Sequence, residues 1–340
     1  MLRLPKFEVA TPRSVGEAVA LLAEAGPSAL VIAGGTDLVP NMKHELFTPE
    51  LVVSLGGIAE LARIEATEDG GLRLGAMVRI ADLAASELVQ QRAPVLAQAA
   101  SLIAGPQLRT MGTLGGNVML DTRCQWYNQT YFWRSALGFC LKKDGTLCHV
   151  VAGGAKCVAA ASNDTAPALM TLGAELVIEG PEGRRSVPID DFWTSDGIFN
   201  KKIVHGEILV EVRVPPVPPG HRGAYGKLRE RGSIDFPLLG VAARLDLDED
   251  GRVAHADLVL TALAARPLRV SKAAACLRGA RPGDTDFEAA VEATATAAAK
   301  QCHPLANIPG DADYRQRMVP VYVRRTLHAA ATGSGPVHHL

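Results

Sequence analysis

The chain has 340 residues, a formal net charge of −1, and 48% hydrophobic and 21% charged residues. That balance gives no case for nucleic acid or a general membrane surface as partner, and no apolar run reaches transmembrane length. Two or three domains around a substantial core are expected. Residues 1–10 (MLRLPKFEVA) lack the apolar run of a signal peptide,. The composition points to a compact α+β enzyme, or a subunit of one, in the cytoplasm.

Ser14 followed by Glu17 is a capping box. The helix it opens carries Ala18, Leu21, Leu22 and Ala25 on one side and can end at Gly26,. Residues 29–33 (ALVIA) read as a buried strand, followed at once by Gly34-Gly35-Thr36-Asp37,. Residues 51–54 and 72–76 read as strands, and residues 80–85 and 94–104 as helices. Further on, Asp164 can cap a helix over 166–172, and residues 174–178 (AELVI) resume a strand. The run 215–220 (PPVPPG) is a stiff, linker-like boundary. Beyond it, strands at 241–247 and 253–260 flank Asp248-Glu249-Asp250-Gly251, a hairpin signal. Thr285 and Glu288 form a second capping box before an alanine-rich helix to Lys300. A last helix over 314–331 contains Pro320, which should kink or split it. Residues 332–340 read as a frayed tail with solvated His338 and His339.

Two glycine-centred turns carry the binding argument. One is Ala33-Gly34-Gly35-Thr36-Asp37-Leu38; the other is Gly112-Thr113-Leu114-Gly115-Gly116-Asn117. Glycine lets the backbone approach a ligand and adopt positive φ. Consecutive amides can then form a nest for an anion, and two such nests suit a pyrophosphate. Neither turn is a dinucleotide or P-loop fingerprint.

The second feature is chemical. Cys124, Cys140, Cys148 and Cys157 fall in one stretch with Trp126, Tyr127, Tyr131, Phe132, Trp133 and Phe139, six of the chain's sixteen aromatics. Four thiolates can close a shell around an iron–sulfur cluster or a zinc ion. The spacing C-x15-C-x7-C-x8-C matches no common pattern, so an iron–sulfur cluster, structural zinc (with His149 as a further candidate) and plain buried cysteines all stay open. Arg123, Arg134, Lys142, Lys143 and Lys156 give the stretch a basic bias against Asp121 and Asp144. Cys276 and Cys302, in alanine-rich sequence, read as packing residues.

The segments 31–43 (VIAGGTDLVPNMK) and 107–118 (QLRTMGTLGGNV) resemble the two FAD-binding motifs of the flavoprotein component of molybdenum hydroxylases. Residues 162–173, 206–215, 225–229 and 311–328 resemble further motifs of that family, so the likeness covers nearly the whole chain. One departure is Gln107-Leu108-Arg109-Thr110 in place of a Gln-Val/Ile-Arg-Asn version.

The resemblance implies a two-subdomain FAD-binding domain of the vanillyl-alcohol-oxidase/PCMH type over 1–220, then a smaller α+β domain of the CO dehydrogenase flavoprotein type over 221–332. It implies that Val31, Ile32, Ala33, Gly34, Gly35, Thr36, Asp37 and Leu38, with Thr113, Leu114, Gly115, Gly116 and Asn117, hold the FAD pyrophosphate. Ile103 would pack near the flavin, Asp164 would bind on the adenosine side, and Leu209 and Lys227 would line the far edge.

About forty residues (119–160) are inserted relative to most of the family. This insertion resembles the β subunit of 4-hydroxybenzoyl-CoA reductase, which implies a [4Fe–4S] cluster on Cys124, Cys140, Cys148 and Cys157. The expected function is then electron transfer. Ferredoxin would donate at a basic face, and electrons would pass through FAD to [2Fe–2S] and molybdenum-cofactor subunits in a dimer of heterotrimers, for reductive dehydroxylation. The alternative is the flavin subunit of an oxidative dehydrogenase of aromatic or N-heterocyclic substrates. A lesser alternative is a zinc-stabilised binding module. No catalytic acid, base or nucleophile is expected in this chain.

Overall fold

A computed structural model describes residues 2–338. The architecture is α+β in two parts, an N-terminal part built on two sheets and a C-terminal part built on a third sheet and two long helices. Three sheets organise the described residues. Strands β1 (Glu8–Ala10), β2 (Ala29–Ile32) and β3 (Leu51–Ser54) form a parallel sheet in the order β1-β3-β2. Strands β4 (Ile64–Ala66), β5 (Leu72–Gly75), β6 (Glu175–Gly180), β7 (Gly183–Pro188) and β8 (Ile208–Val214) form an antiparallel sheet in the order β4-β5-β8-β6-β7. Strands β9 (His221–Leu228), β10 (Leu239–Leu247), β11 (Val253–Thr261) and β12 (Leu268–Arg269) form the third, also antiparallel.

Parallel strands need a crossover. Between β2 and β3 it begins with the first glycine turn and the short helix Leu38–Lys43. The turn therefore sits at the carboxyl end of β2, outside the sheet, where a ligand can reach it. The helix Val15–Ala25 covers this sheet with Val15, Ala18, Val19 and Leu22. Its start is as expected: Ser14 Oγ accepts from Glu17 N at 3.2 Å, and Glu17 reaches back to Arg13 N at 2.8 Å.

The helix Pro94–Ser101 lies along β9. Gln98 accepts from Tyr225 N at 2.9 Å and donates to Gly223 O at 3.4 Å, so it blunts the sheet edge,. The core continues across this contact, with Tyr225, Ala242 and Val259 packed among residues of the N-terminal part. The expected helix over 94–104 stops early because Ala104 has φ +43°, outside helical space,.

Four expectations change. The helix over Thr285–Gln301 starts one residue earlier in its capping logic. Asp284 is the flanking residue, in extended conformation, so Thr285 is already helical and no capping box forms. Pro320 does not split the last helix, which runs unbroken over Ala312–Thr332. Met318, Val319, Tyr322 and Val323 around it are buried in the core. Packing on that scale outweighs the roughly 3 kcal/mol penalty of an internal proline. The tail is not frayed at Val337, whose amide donates to Tyr225 O at 3.0 Å while its carbonyl accepts from Lys227 N at 2.8 Å. His339 lies outside the described residues. Asp164 stands at a helix start but does not cap it, as described below.

Candidate FAD site

The two glycine turns meet directly. A Cβ on Gly34 would lie 1.8 Å from Met111 O, just before the second turn. Only glycine allows this approach. Gly35 adopts φ +71°, the left-handed region,. No acceptor among the described residues faces the amides of Gly34, Gly35, Thr36, Asp37 and Leu38. Five consecutive open N–H groups form a cradle that fits an oxygen-rich anion such as a pyrophosphate.

The second turn is built differently. Gly112 N donates to Leu108 O, Leu114 N to Val78 O and Gly115 N to Ala76 O, all at 2.7–2.8 Å. Gly116 N donates to Thr113 Oγ at 3.1 Å. These amides are used inside the protein. The turn's task is shape: Gly115 seats the backbone on Ala76, where a Cβ would be only 2.7 Å away.

Asn117 closes this turn and reaches onward. Its Oδ1 accepts from Thr165 N at 3.0 Å and Thr165 Oγ at 2.6 Å, capping the helix Thr165–Thr171. This frees Asp164, whose carboxylate accepts from Lys227 Nζ at 3.0 Å and Tyr225 Oη at 2.9 Å. Lys227 also donates to Leu102 O at 3.0 Å. Burial pushes the Asp164 carboxyl upward, and Lys227 and Tyr225 pull it back down. Burial lowers Lys227, and Asp164 opposes that.

Asp164 and Lys227 are thus one buried pair joining the two parts of the chain. Tyr225, the third member, carried no separate signal in the sequence beyond its place in YGKLR. Ile103 is half-buried against the core, beside Leu102. Leu209 is a buried core residue of β8, as Val31 and Ile32 are members of β2.

The cysteine segment corrects a larger expectation. It leaves and re-enters the fold through an antiparallel bridge between Arg123 and Ala160, with both N–H···O bonds at 2.8 Å. Cys124, Cys140, Cys148 and Cys157 do line one recess. Its volume is about 20 Å³, room for about one water molecule. Yet among the described residues no three His, Cys, Asp or Glu side chains are placed to hold a metal ion. The iron–sulfur and zinc readings of this stretch, with Cys124, Cys140, Cys148 and Cys157 as ligands, are therefore corrected.

Cys124, Cys140 and Cys157 form a small apolar core with Leu46, Tyr127 and Ala159, to which Phe47, Trp126, Val150 and Ile198 add, while Cys148 stays half-buried at its edge. Burial pushes the Cys124 thiol up to about 11, and Cys157, Cys140 and Cys148 push the same way. Ala159 N donates to Cys157 Sγ at 3.4 Å and Val151 N to Cys148 Sγ at 3.5 Å.

The basic face expected for a ferredoxin is also absent in that form. The Arg134 side chain is 1% exposed and that of Lys142 is 6% exposed. Arg134 donates to Gln129 O, His44 O and Glu45 O. Lys142 donates to Asp121 Oδ1 at 2.8 Å and Thr122 O at 2.9 Å. Both cations fasten the segment from within. Lys143 is more exposed and pairs with Asp144 at 3.5 Å.

Lys201 completes this charged layer, donating to Asn200 Oδ1 at 2.7 Å and Leu120 O at 3.1 Å. Burial lowers its pKa to about 8, and nearby Asp121 opposes that shift. Above pH 8 the folded chain has released this proton, whereas the unfolded chain keeps it to about 10.4. Folding stability should therefore gain on the order of 3 kcal/mol from this group between about pH 8 and 10. Below pH 8 the contribution is flat. Lys201→Met should lack that rise when urea midpoints of the two proteins are compared at pH 7.5 and 9.5. Parallel midpoints would refute it.

Residues 5–217 match the family model of the FAD binding domain in molybdopterin dehydrogenase, and residues 224–330 match the CO dehydrogenase flavoprotein C-terminal domain. The chain belongs to the family of FAD-binding medium subunits of the molybdenum hydroxylases.

Among its relatives is the carbon monoxide dehydrogenase medium chain of Hydrogenophaga pseudoflava, 35% identical over 96% of this chain and 97% of that protein. The aldehyde oxidoreductase FAD-binding subunit of Escherichia coli (strain K12) is 38% identical over 76% of this chain and 82% of that protein. The solved carbon monoxide dehydrogenase from Hydrogenophaga pseudoflava, in a form lacking the Mo-pyranopterin moiety, superposes with TM-score 0.79 at 34% identity. It covers 97% of this chain and 99% of that one. Quinoline 2-oxidoreductase from Pseudomonas putida 86 superposes with TM-score 0.76 at 26% identity, over 98% and 99%.

The family makes the chain an oxidoreductase subunit. It also corrects the reductase reading. The relatives are subunits of dehydrogenases and of an aldehyde oxidoreductase, and the expected reductive dehydroxylation, with its ferredoxin donor and [4Fe–4S] entry point, has no support among them or in the placement of the cysteines. No helix among the described residues is long and apolar enough to cross a membrane.

Proposed function

We propose that this chain is the flavin subunit of an oxidative molybdenum-hydroxylase-type dehydrogenase. The observation that carries the reading is the run of five open amides at the first turn, seated against the second turn. Gly34, Gly35, Thr36, Asp37 and Leu38 would hold the pyrophosphate, with Val31, Ile32 and Ala33 as the strand that presents them. Thr113, Leu114, Gly115, Gly116 and Asn117 would shape the opposite wall. Asp164 and Lys227 would fix the floor between the two parts, and Ile103 and Leu209 would complete the apolar lining. When bound, FAD supplies a carrier that accepts and releases electrons. The protein's part is to bind it, orient it and exclude water.

In this reading the substrate is oxidised on a molybdenum-cofactor subunit, a [2Fe–2S] subunit relays the electrons, and an external acceptor receives them. The substrate class we favour is an aromatic or N-heterocyclic compound or an aldehyde, in line with the relatives. A hetero-oligomer containing all three subunits, working in the cytoplasm where the cysteines stay reduced, accommodates this role.

The test is the purified complex under anaerobic conditions. Adding the right substrate should bleach the flavin absorbance, and an electron acceptor should restore it. If xanthine, quinoline and an aromatic aldehyde all leave the flavin oxidised, while a low-potential reductant drives dehydroxylation instead, the oxidative reading fails.

A further inference from the structure

The inserted segment grips the first glycine turn through one residue. Arg123 donates from its guanidinium to Asp37 Oδ1 at 3.1 Å. Its guanidinium carbon also stands 3.9 Å from the centroid of the Phe236 ring. Phe236 lies in the connection between β9 and β10, whose Ile234 N donates to Ala104 O at 3.0 Å. Arg123 thus joins three parts: the neck of the inserted segment, the first turn and the β9–β10 connection.

Its effect on Asp37 is specific. Asp37 occupies the flanking position of the helix Leu38–Lys43, where aspartate ordinarily accepts from the helix's first amides. Here it makes no such bond. One oxygen takes Arg123, and the other takes Asn41 Nδ2 at 3.0 Å. The carboxylate is therefore held away from the open amides of its own turn. Without Arg123 it would turn to the nearest unsatisfied donors, which are those amides. It would also lose its nearest cation beside a site built for an anion, leaving only the weaker influence of Lys142 and Lys201,.

We propose that Arg123 is a positioning residue for FAD, which withdraws and neutralises the Asp37 carboxylate so that the first turn stays open to the cofactor's pyrophosphate. The inserted segment is then a brace for the flavin site, with Arg134 fastening it to the far end of the same helix through His44 O and Glu45 O. This rests on the reading that the first turn holds FAD.

The experiment is FAD titration of the full-length apoprotein, followed by flavin fluorescence quenching, with thermal midpoints of the apoproteins measured alongside. Arg123→Gln should weaken FAD binding about tenfold, with the apoprotein still unfolding cooperatively and its midpoint lowered by only a few degrees for the lost contacts,. The double variant Arg123→Gln/Asp37→Asn should recover most of the loss, because a neutral amide neither repels the phosphates nor needs withdrawing. Arg123→Lys should fall between. If the double variant binds FAD as weakly as Arg123→Gln, or if Arg123→Gln binds like the native chain, the positioning role is overturned. Failure of the native chain itself to bind FAD would instead overturn the reading beneath it.

Discussion

Gly34→Ala should purify with no flavin. The new Cβ would sit 1.8 Å from Met111 O, a backbone atom that cannot swing aside. The two turns would have to part by more than an ångström, and the open amides would move with them. Overpacking of this kind costs about 1–3 kcal/mol of stability, so the protein should still fold.

The neighbouring glycines provide a graded comparison. Gly35→Ala meets only the Ile32 and Val39 side chains, at 3.2 Å and beyond, but holds φ +71°. That conformation costs a non-glycine residue about 1–2 kcal/mol, and flavin should be retained in part. Gly116→Ala meets only Thr113 Oγ at 3.0 Å, without positive φ, and should keep most of it. Flavin absorbance per chain after gel filtration gives the order directly. Full flavin in Gly34→Ala would mean that the contact between the turns does not shape the site.

The second large effect is expected at Lys227. Its side chain is 0% exposed, and its partner Asp164 is 4% exposed. Lys227→Met leaves a buried carboxylate with Tyr225 Oη as its one remaining side-chain donor and only the weaker pull of Arg229, which should cost about 3–5 kcal/mol. Burial already raises the Asp164 carboxyl, and loss of the ammonium raises it further. A carboxyl whose folded pKa lies above its unfolded value binds its proton more tightly when folded. Stability is then retained at low pH and lost as pH rises towards that folded value. Lys227→Met should therefore be less impaired at pH 5 than at pH 8 by urea denaturation. Asp164→Asn/Lys227→Met, which removes both charges, should recover most of the loss. An equal deficit at both pH values, with no recovery in the double variant, would show that packing rather than charge accounts for the pair.

What the sequence determined by itself was local. The capping box at Ser14, the hairpin around Gly251 and the strand leading into Gly34-Gly35 all depend on a few adjacent residues. They stand in the structure as the pattern implied. Both glycine turns were visible for the same reason, since glycine pairs beside a strand need no distant partner to be noticed. Their difference was invisible. One turn leaves its amides open, whereas the other binds the Leu108 carbonyl nearby and the Ala76 and Val78 carbonyls, and those last two acceptors come from elsewhere in the chain.

Only the tertiary structure decided the rest. Asp164 reads as a helix cap until Asn117, 47 positions earlier in the numbering, takes that task and turns the carboxylate towards Lys227. Pro320 reads as a break until its surroundings are seen to be core. The lysine and arginine of the cysteine segment read as a basic surface, but Arg134 and Lys142 point inward to carbonyls and Asp121. Four cysteines in one loop count as four donors in sequence, yet a metal site needs their sulfurs converging at bonding distance, and composition does not encode that separation. Charge, burial and coordination are properties of neighbours in space, and the folded chain alone brings those neighbours together.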